Sequence, residues 1–202
     1  MRSRSRQLIF VSLGRMARGD PKSASEQGAQ WLPHEFGKGY AREQTSSSPR
    51  LRIAASSSGT ALLRELTLTL TEPFLLLYVL VVPRGRSESG RYQSEELSRA
   101  ELDALFADFG GFWDSDGRHN VWVRSSDDGM LVYDRHNLIY AYGPLPRFEV
   151  ALRKLGYTTA ASVTLDFVHQ HSYHQEFDDL ERQLTTRFGD RRSELREGDD
   201  NP

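Results

Sequence analysis

The stretch VTLDFVHQHSYHQEFDDLERQLTTRF, residues 163–188, changes its apolar period partway along. Val163, Leu165 and Phe167 alternate with polar residues, which predicts a β-strand. After Ser172 the apolar residues recur at helical spacing, and Ser172 with Gln175 has the pattern of a capping box. The helical apolar positions are Tyr173, Phe177, Leu180, Leu184 and Phe188. This stretch therefore predicts a strand that runs directly into a helix.

Three histidines lie where the predicted strand meets the predicted helix. His169 and His171 continue the parity of the strand and share one face, and His174 follows in the first helical turn. Such a spacing could bring three imidazoles around a divalent metal ion, with Glu176 as a general base and a metal-bound water as the nucleophile. The alternative hypothesis is that these are polar residues at an element boundary, with a structural role only.

Upstream, one apolar strand and one helix are predicted in succession. Phe74 to Val82 is an uninterrupted apolar run, which is typical of a central strand. Ser98 and Glu101 form a second capping-box pattern, and a helix is predicted from there to Phe109. Gly110 and the glycine after it are predicted to end this helix.

A meander and a further helix follow. The segments 120–124, 130–134 and 138–142 are short and rich in β-branched and aromatic residues, so they predict three strands joined by hairpins. An acid, a base and an amide, which could form a catalytic constellation, follow one another in Asp134-Arg135-His136-Asn137. These residue types are also common in turns, so a turn is predicted here. A helix is predicted over 147–155, with Gly156 just beyond its end.

The predicted order of elements is β-α-β-β-β-α-β-α. It indicates an α+β protein with a single, mainly antiparallel sheet and its helices packed on one face. The nearest named topology is a ferredoxin-like sandwich with one extra strand. Residues 66–189 are predicted to form this single domain.

Both ends of the chain are predicted to be disordered tails. Residues 1–58 carry ten Lys/Arg, four Asp/Glu and eleven serines, so residues 1–60 have too little apolar surface to fold. This segment could instead bind nucleic acid or anionic membrane, act as a transit peptide, or precede a native start near Leu68. Residues 190–202 are charged and predicted to be frayed.

Composition excludes several classes of protein. There is no cysteine, so disulfides, thiolate nucleophiles and zinc–thiolate sites are excluded. Residues 59–202 are acidic overall, which argues against nucleic acid as a partner. The longest apolar run has nine residues, whereas a membrane-spanning helix needs roughly 20. A cytoplasmic protein is expected.

Aromatic residues of the meander supply the second candidate site. Tryptophan and tyrosine are enriched at interaction hot spots. The meander would therefore offer a binding surface if an uncovered face of the sheet were lined by Trp122, Tyr133, Tyr140 and Tyr142. No phosphate-binding, dinucleotide-binding, serine-hydrolase or zinc-protease motif is present. This absence favours a small binding module, not an enzyme and without a cofactor, that contacts a protein partner or itself. The alternative is a metal-dependent hydrolase with His169, His171 and His174 as ligands.

Overall fold

The computed structural model describes residues 22–27, 30–33, 37–55, 58–164 and 169–200. The strands in this part of the chain are β1 (Ser23–Gln27), β2 (Gln30–Pro33), β3 (Gly39–Gln44), β4 (Pro49–Ala54), β5 (Phe74–Leu80), β6 (Gly90–Gln93), β7 (His119–Ser125), β8 (Met130–Tyr133), β9 (Leu138–Tyr142), β10 (Thr158–Thr159), β11 (His169–His171) and β12 (Arg192–Ser193). The helices are α1 (Gly59–Thr67), α2 (Arg99–Ser115), α3 (Leu145–Lys154) and α4 (Asp178–Arg187). Short 3-10 turns cover Gln175–Phe177 and Gly189–Arg191.

The described strands form two sheets. The larger has nine strands in the order β10-β3-β4-β9-β8-β7-β5-β6-β12, and the smaller has three in the order β11-β1-β2. Strand β10 runs parallel to β3, whereas the other neighbouring pairs are antiparallel. Mixed α and β content is confirmed. The predicted single antiparallel, ferredoxin-like sheet is wrong, because the larger sheet is mixed and extends through β3 and β4.

The N-terminal boundary of the folded unit lies earlier than the sequence predicted. Strands β3 and β4 form a hairpin, and β4 pairs along its other edge with β9. Leu51 and Ile53 are fully buried, because they alternate with Arg50 and Arg52 on the opposite face of β4. Residues 39–44 and 49–54 of the predicted disordered tail are therefore strands of the larger sheet, and a native start near Leu68 stays a prediction. Residues 1–21 of that predicted tail lie outside the described part.

The C-terminal segment is also part of the structure up to residue 200. Strand β12 pairs with β6, and the buried Asp199 accepts a hydrogen bond from the side chain of Arg91. Arg135 donates to Asp200 at 2.6 Å. The prediction of a frayed tail from residue 190 is wrong for these residues, because their charges are paired with the body of the protein.

Helix α2 begins as predicted but continues past its glycines. The capping box of Ser98 and Glu101 is present. The helix runs on to Ser115, and Gly110 allows it to approach α1 closely: a Cβ there would lie 2.9 Å from the Thr60 Cγ2 atom. Gly110 therefore serves helix packing, and neither glycine ends the helix.

Some of the remaining predictions of helices and strands are confirmed and others are wrong. The meander is confirmed, with β5 in the interior of the sheet beside β7, and Gly156 has the positive φ of 81° expected after α3. The capping box at Ser172 is wrong, since α4 starts at Asp178 without a side-chain cap. Leu165 and Phe167 of the predicted strand lie outside the described residues.

The larger core lies between the nine-stranded sheet and the four helices. Each helix contributes fully buried or nearly buried apolar side chains, among them Leu63, Leu105, Phe148 and Leu184. A smaller cluster covers part of the opposite face of the sheet. Within the described residues, no helix combines the length and the apolar character needed to cross a membrane.

Candidate metal centre

The turn between β8 and β9 is built around Asp134. Its Oδ1 atom accepts the backbone N–H groups of His136 at 2.9 Å and of Leu138 at 2.8 Å. Asn137 completes the turn with a positive φ of 63°, a conformation that asparagine tolerates better than most residues. The local sequence thus fixes the turn and places the imidazole of His136 beside the second carboxylate oxygen.

The imidazole of His136 is oriented by that carboxylate. Its Nδ1 atom lies 3.0 Å from Asp134 Oδ2. When Nδ1 carries the proton and donates it to Asp134, Nε2 presents its lone pair on the other side of the ring. Histidines that bind metals usually have such an outer partner. Burial alone raises the pKa of Asp134, but His136, the Leu138 N–H and Lys22 together lower it below its usual value, so the carboxylate is ionised.

The small sheet brings two more histidines to the same place. Strand β11 pairs with β1, with His171 opposite Ser23 and His169 opposite Ser25. The ring centre of His136 lies 5.0 Å from that of His169 and 4.9 Å from that of His171. The rings of His169 and His171 are 5.4 Å apart.

One ligand atom from each of His136, His169 and His171 lies within 4.8 Å of the other two. Around a tetrahedral zinc with bonds of 2.0–2.1 Å, ligand nitrogens would be about 3.3 Å apart. Closing the trio around an ion therefore needs an inward shift of about 1 Å, within the reach of side-chain rotation. We call these three residues the histidine trio.

His171 is the most constrained member of the histidine trio. Only 5% of it is exposed, and in the described part neither ring nitrogen has a hydrogen-bond partner. Burial, followed by Arg135 and the other two histidines, lowers the pKa of His171 well below 6.5, so the ring is neutral. An unsatisfied buried polar group costs about 1–3 kcal/mol, and a metal bond to the lone pair would offset that cost.

The sequence predicted part of this site. His169 and His171 are brought together, whereas His174 is not in the trio: its backbone N–H donates to Asp116 and its ring contacts Phe177 edge-on. Glu176 is exposed on the 3-10 turn and is not gathered with the histidines.

His136 was not included in the candidate metal site predicted from the sequence, because the residue types of Asp134-Arg135-His136-Asn137 are also common in turns. The available signal was the Asp-x-His spacing, which lets one carboxylate hold both the turn and the ring.

The four predicted binding aromatics do not form one surface. Tyr133 is buried in the core beneath the helices, whereas Trp122, Tyr140 and Tyr142 belong to the opposite face. Successive residues of a strand point to opposite faces, and Tyr133 differs in parity from the other three once the strands are in register. On the second face Arg50 lies 4.1 Å above the ring of Tyr140 and donates to Tyr142 Oη.

Comparisons of the chain with protein-family models, with curated proteins and with solved structures find no match.

Proposed function

We propose that this protein binds one divalent transition-metal ion through His136, His169 and His171, and that it is a metal-dependent hydrolase. The observation that carries the proposal is the buried, neutral imidazole of His171, which has no hydrogen-bond partner among the described residues and has a ligand atom within 4.8 Å of one on each of the other two histidines. The carboxylate of Asp134 behind His136 adds the outer support that metal-binding histidines commonly have.

The donor set suits one group of metals and one kind of chemistry. Three imidazole ligands favour zinc, copper, iron or nickel over magnesium or calcium. Three protein ligands leave a fourth position for water, as in catalytic zinc sites. A metal held by these three histidines would supply a water whose pKa lies near about 7, and with it the hydrolysis of an electrophilic ester or phosphoryl centre, whose net change is the addition of one water molecule.

The test is metal content and affinity in protein prepared without a histidine tag. We expect close to one zinc, iron or copper per chain in the native protein, and its loss in His136→Ala and His171→Ala. His174→Ala is the matched control, because His174 is close in sequence but lies outside the trio, and it should keep the metal. Metal-dependent hydrolysis of nitrophenyl carboxylate or phosphate esters would support the enzymatic part.

Two results would contradict the proposal. One is a native protein that contains no metal and binds none on titration. The other is metal binding that His174→Ala abolishes and His136→Ala leaves intact, which would restore the ligand set predicted from sequence.

A protein-interaction module remains the second candidate function. The observation in its favour is the partly exposed pair of Arg50 and Tyr142, which are hydrogen-bonded on the sheet face away from the helices, since arginine and tyrosine are enriched at interface hot spots. Sedimentation of the native protein and of Arg50→Ala would test self-association. A chain that stays monomeric at high concentration would remove that form of the hypothesis.

A further inference from the structure

A fully buried lysine lies where the small sheet meets the larger one. Lys22, the residue before β1, has no exposed surface. Its Nζ atom donates to the backbone carbonyl of Trp113 at 3.1 Å and lies 3.3 Å from the ring centre of Tyr133. The ammonium is thus held between the end of α2 and the last residue of β8.

Placing an ammonium here is energetically unfavourable. Burial lowers the pKa of Lys22 from 10.5 to about 7, even though Asp134, Asp114 and Asp116 act in the opposite direction. A hydrophobic side chain of similar volume would avoid the desolvation cost, and such replacements of buried charges are often neutral or stabilising. Packing alone therefore does not explain the amine, and its contacts indicate a more specific role.

The backbone of Lys22 is joined to the strand that carries two of the histidines. Its carbonyl oxygen accepts the N–H of Ser172 at 3.0 Å, and the next residue, Ser23, lies opposite His171. Gly117 packs closely against both Lys22 and His171: a Cβ at Gly117 would lie 2.8 Å from His171 Cβ and 2.9 Å from the Lys22 carbonyl oxygen. Movement of Lys22 would therefore move His171.

The side chain of Lys22 contacts the residue that precedes the β8–β9 turn, which carries His136. Tyr133, which lies under the ammonium, immediately precedes Asp134, and Asp134 orients His136. Lys22 is thus a direct link between the turn that carries His136 and the strand that carries His169 and His171.

We propose that Lys22 is a positioning residue of the metal centre, holding the small sheet at the distance from the β8–β9 turn at which the histidine trio can enclose one ion. This inference rests on the proposed function. Lys22 acts through the histidines and does not touch the metal, because its amine is occupied by Trp113 and Tyr133.

Cobalt(II) substitution tests the inference through the visible spectrum of the bound ion. Lys22→Met removes the ammonium but keeps the apolar stem. We expect about tenfold weaker cobalt binding, as for other outer supports of metal ligands, and a weaker or shifted d–d band at saturating cobalt. Lys38→Met is the matched control, because Lys38 also donates to a backbone carbonyl, that of Leu155, and lies near a tyrosine ring, but it is exposed and precedes β3, which does not pair with the small sheet.

The outcomes separate the two proposals. A lower unfolding temperature with an unchanged cobalt spectrum would overturn the positioning role, because it would make Lys22 a purely structural residue. A native chain that binds no cobalt would remove the proposed metal centre itself. If Lys22→Met does not fold, Lys22→Gln, which keeps a donor, serves for the same measurement. If that variant also fails to fold, Lys22 supports the whole fold and the specific role is overturned.

Discussion

His119 is a histidine that the structure assigns to the core and not to the candidate metal centre. It is fully buried, its ring meets Phe112 edge-on at 4.5 Å, and Nδ1 lies 3.4 Å from the Tyr78 hydroxyl. Burial, then Lys22 and two arginines, lowers the pKa of His119 well below 6.5. The folded protein therefore keeps this ring neutral, whereas the unfolded chain protonates it near pH 6.5.

This difference predicts a pH dependence of stability. Below pH 6.5 the unfolded state binds a proton at His119 that the folded state excludes, so the free energy of unfolding falls as the pH falls, by up to about 1.4 kcal/mol per pH unit. Chemical denaturation at pH 7.5 and 5.5 should show a smaller loss for His119→Leu than for the native protein. Equal losses in the two proteins would contradict the assignment.

Single residues also show why the site was only partly predictable. The parity of His169 and His171 is visible in the sequence because both lie on one strand. The third member of the histidine trio, His136, comes from a distant hairpin, and only the tertiary structure brings it beside them. His174 was chosen from spacing alone, but the chain between His171 and the helix does not turn as a capping box would require.

At the scale of elements, the two adjacent glycines of α2 have different surroundings. A Cβ at Gly110 would meet Thr60, which is buried and bonded to Asp114, whereas a Cβ at Gly111 would meet nothing within 4 Å. Helical glycine costs about 1 kcal/mol relative to alanine, and overpacking costs about 1–3 kcal/mol.

These surroundings predict opposite effects for two equivalent substitutions. Gly111→Ala should raise the free energy of unfolding by about 0.5–1 kcal/mol, and Gly110→Ala should lower it by about 1 kcal/mol or more. Urea denaturation of the two variants and the native protein provides the measurement. Stabilisation by Gly110→Ala would show that α1 and α2 can separate at little cost.

Element prediction succeeded where the local pattern was strong. The meander strands and the Ser98 capping box are visible because β-branched runs and side-chain caps act over a few residues. The hairpin of β3 and β4 was not predicted from the sequence, because the average composition of that segment is polar. Its signal was present in Arg50-Leu51-Arg52-Ile53, an alternation that places arginines on one face and buried aliphatics on the other.

For the whole molecule, β4 is an interior strand of the larger sheet. A chain beginning at residue 60 would leave the edge of β9 unpaired and expose the core side chains that Leu51 and Ile53 cover. We expect such a chain to show no cooperative thermal transition by circular dichroism, whereas a chain beginning at residue 22 should show one. If the shorter chain unfolded cooperatively at the same temperature as the longer one, the hairpin of β3 and β4 would not be required for folding.

The pairing of β4 with β9 also bears on how the protein is made. The ribosome releases β4 early, and β3 can pair with it at once as a hairpin, but its other edge has no partner until Tyr142 has emerged. At about 5–20 residues per second this interval lasts several seconds. Throughout that time the nascent chain presents an unpaired strand edge, the feature that chaperones shield and that aggregating chains share. Yield during synthesis should therefore depend on chaperone supply more than the stability of the finished protein would suggest.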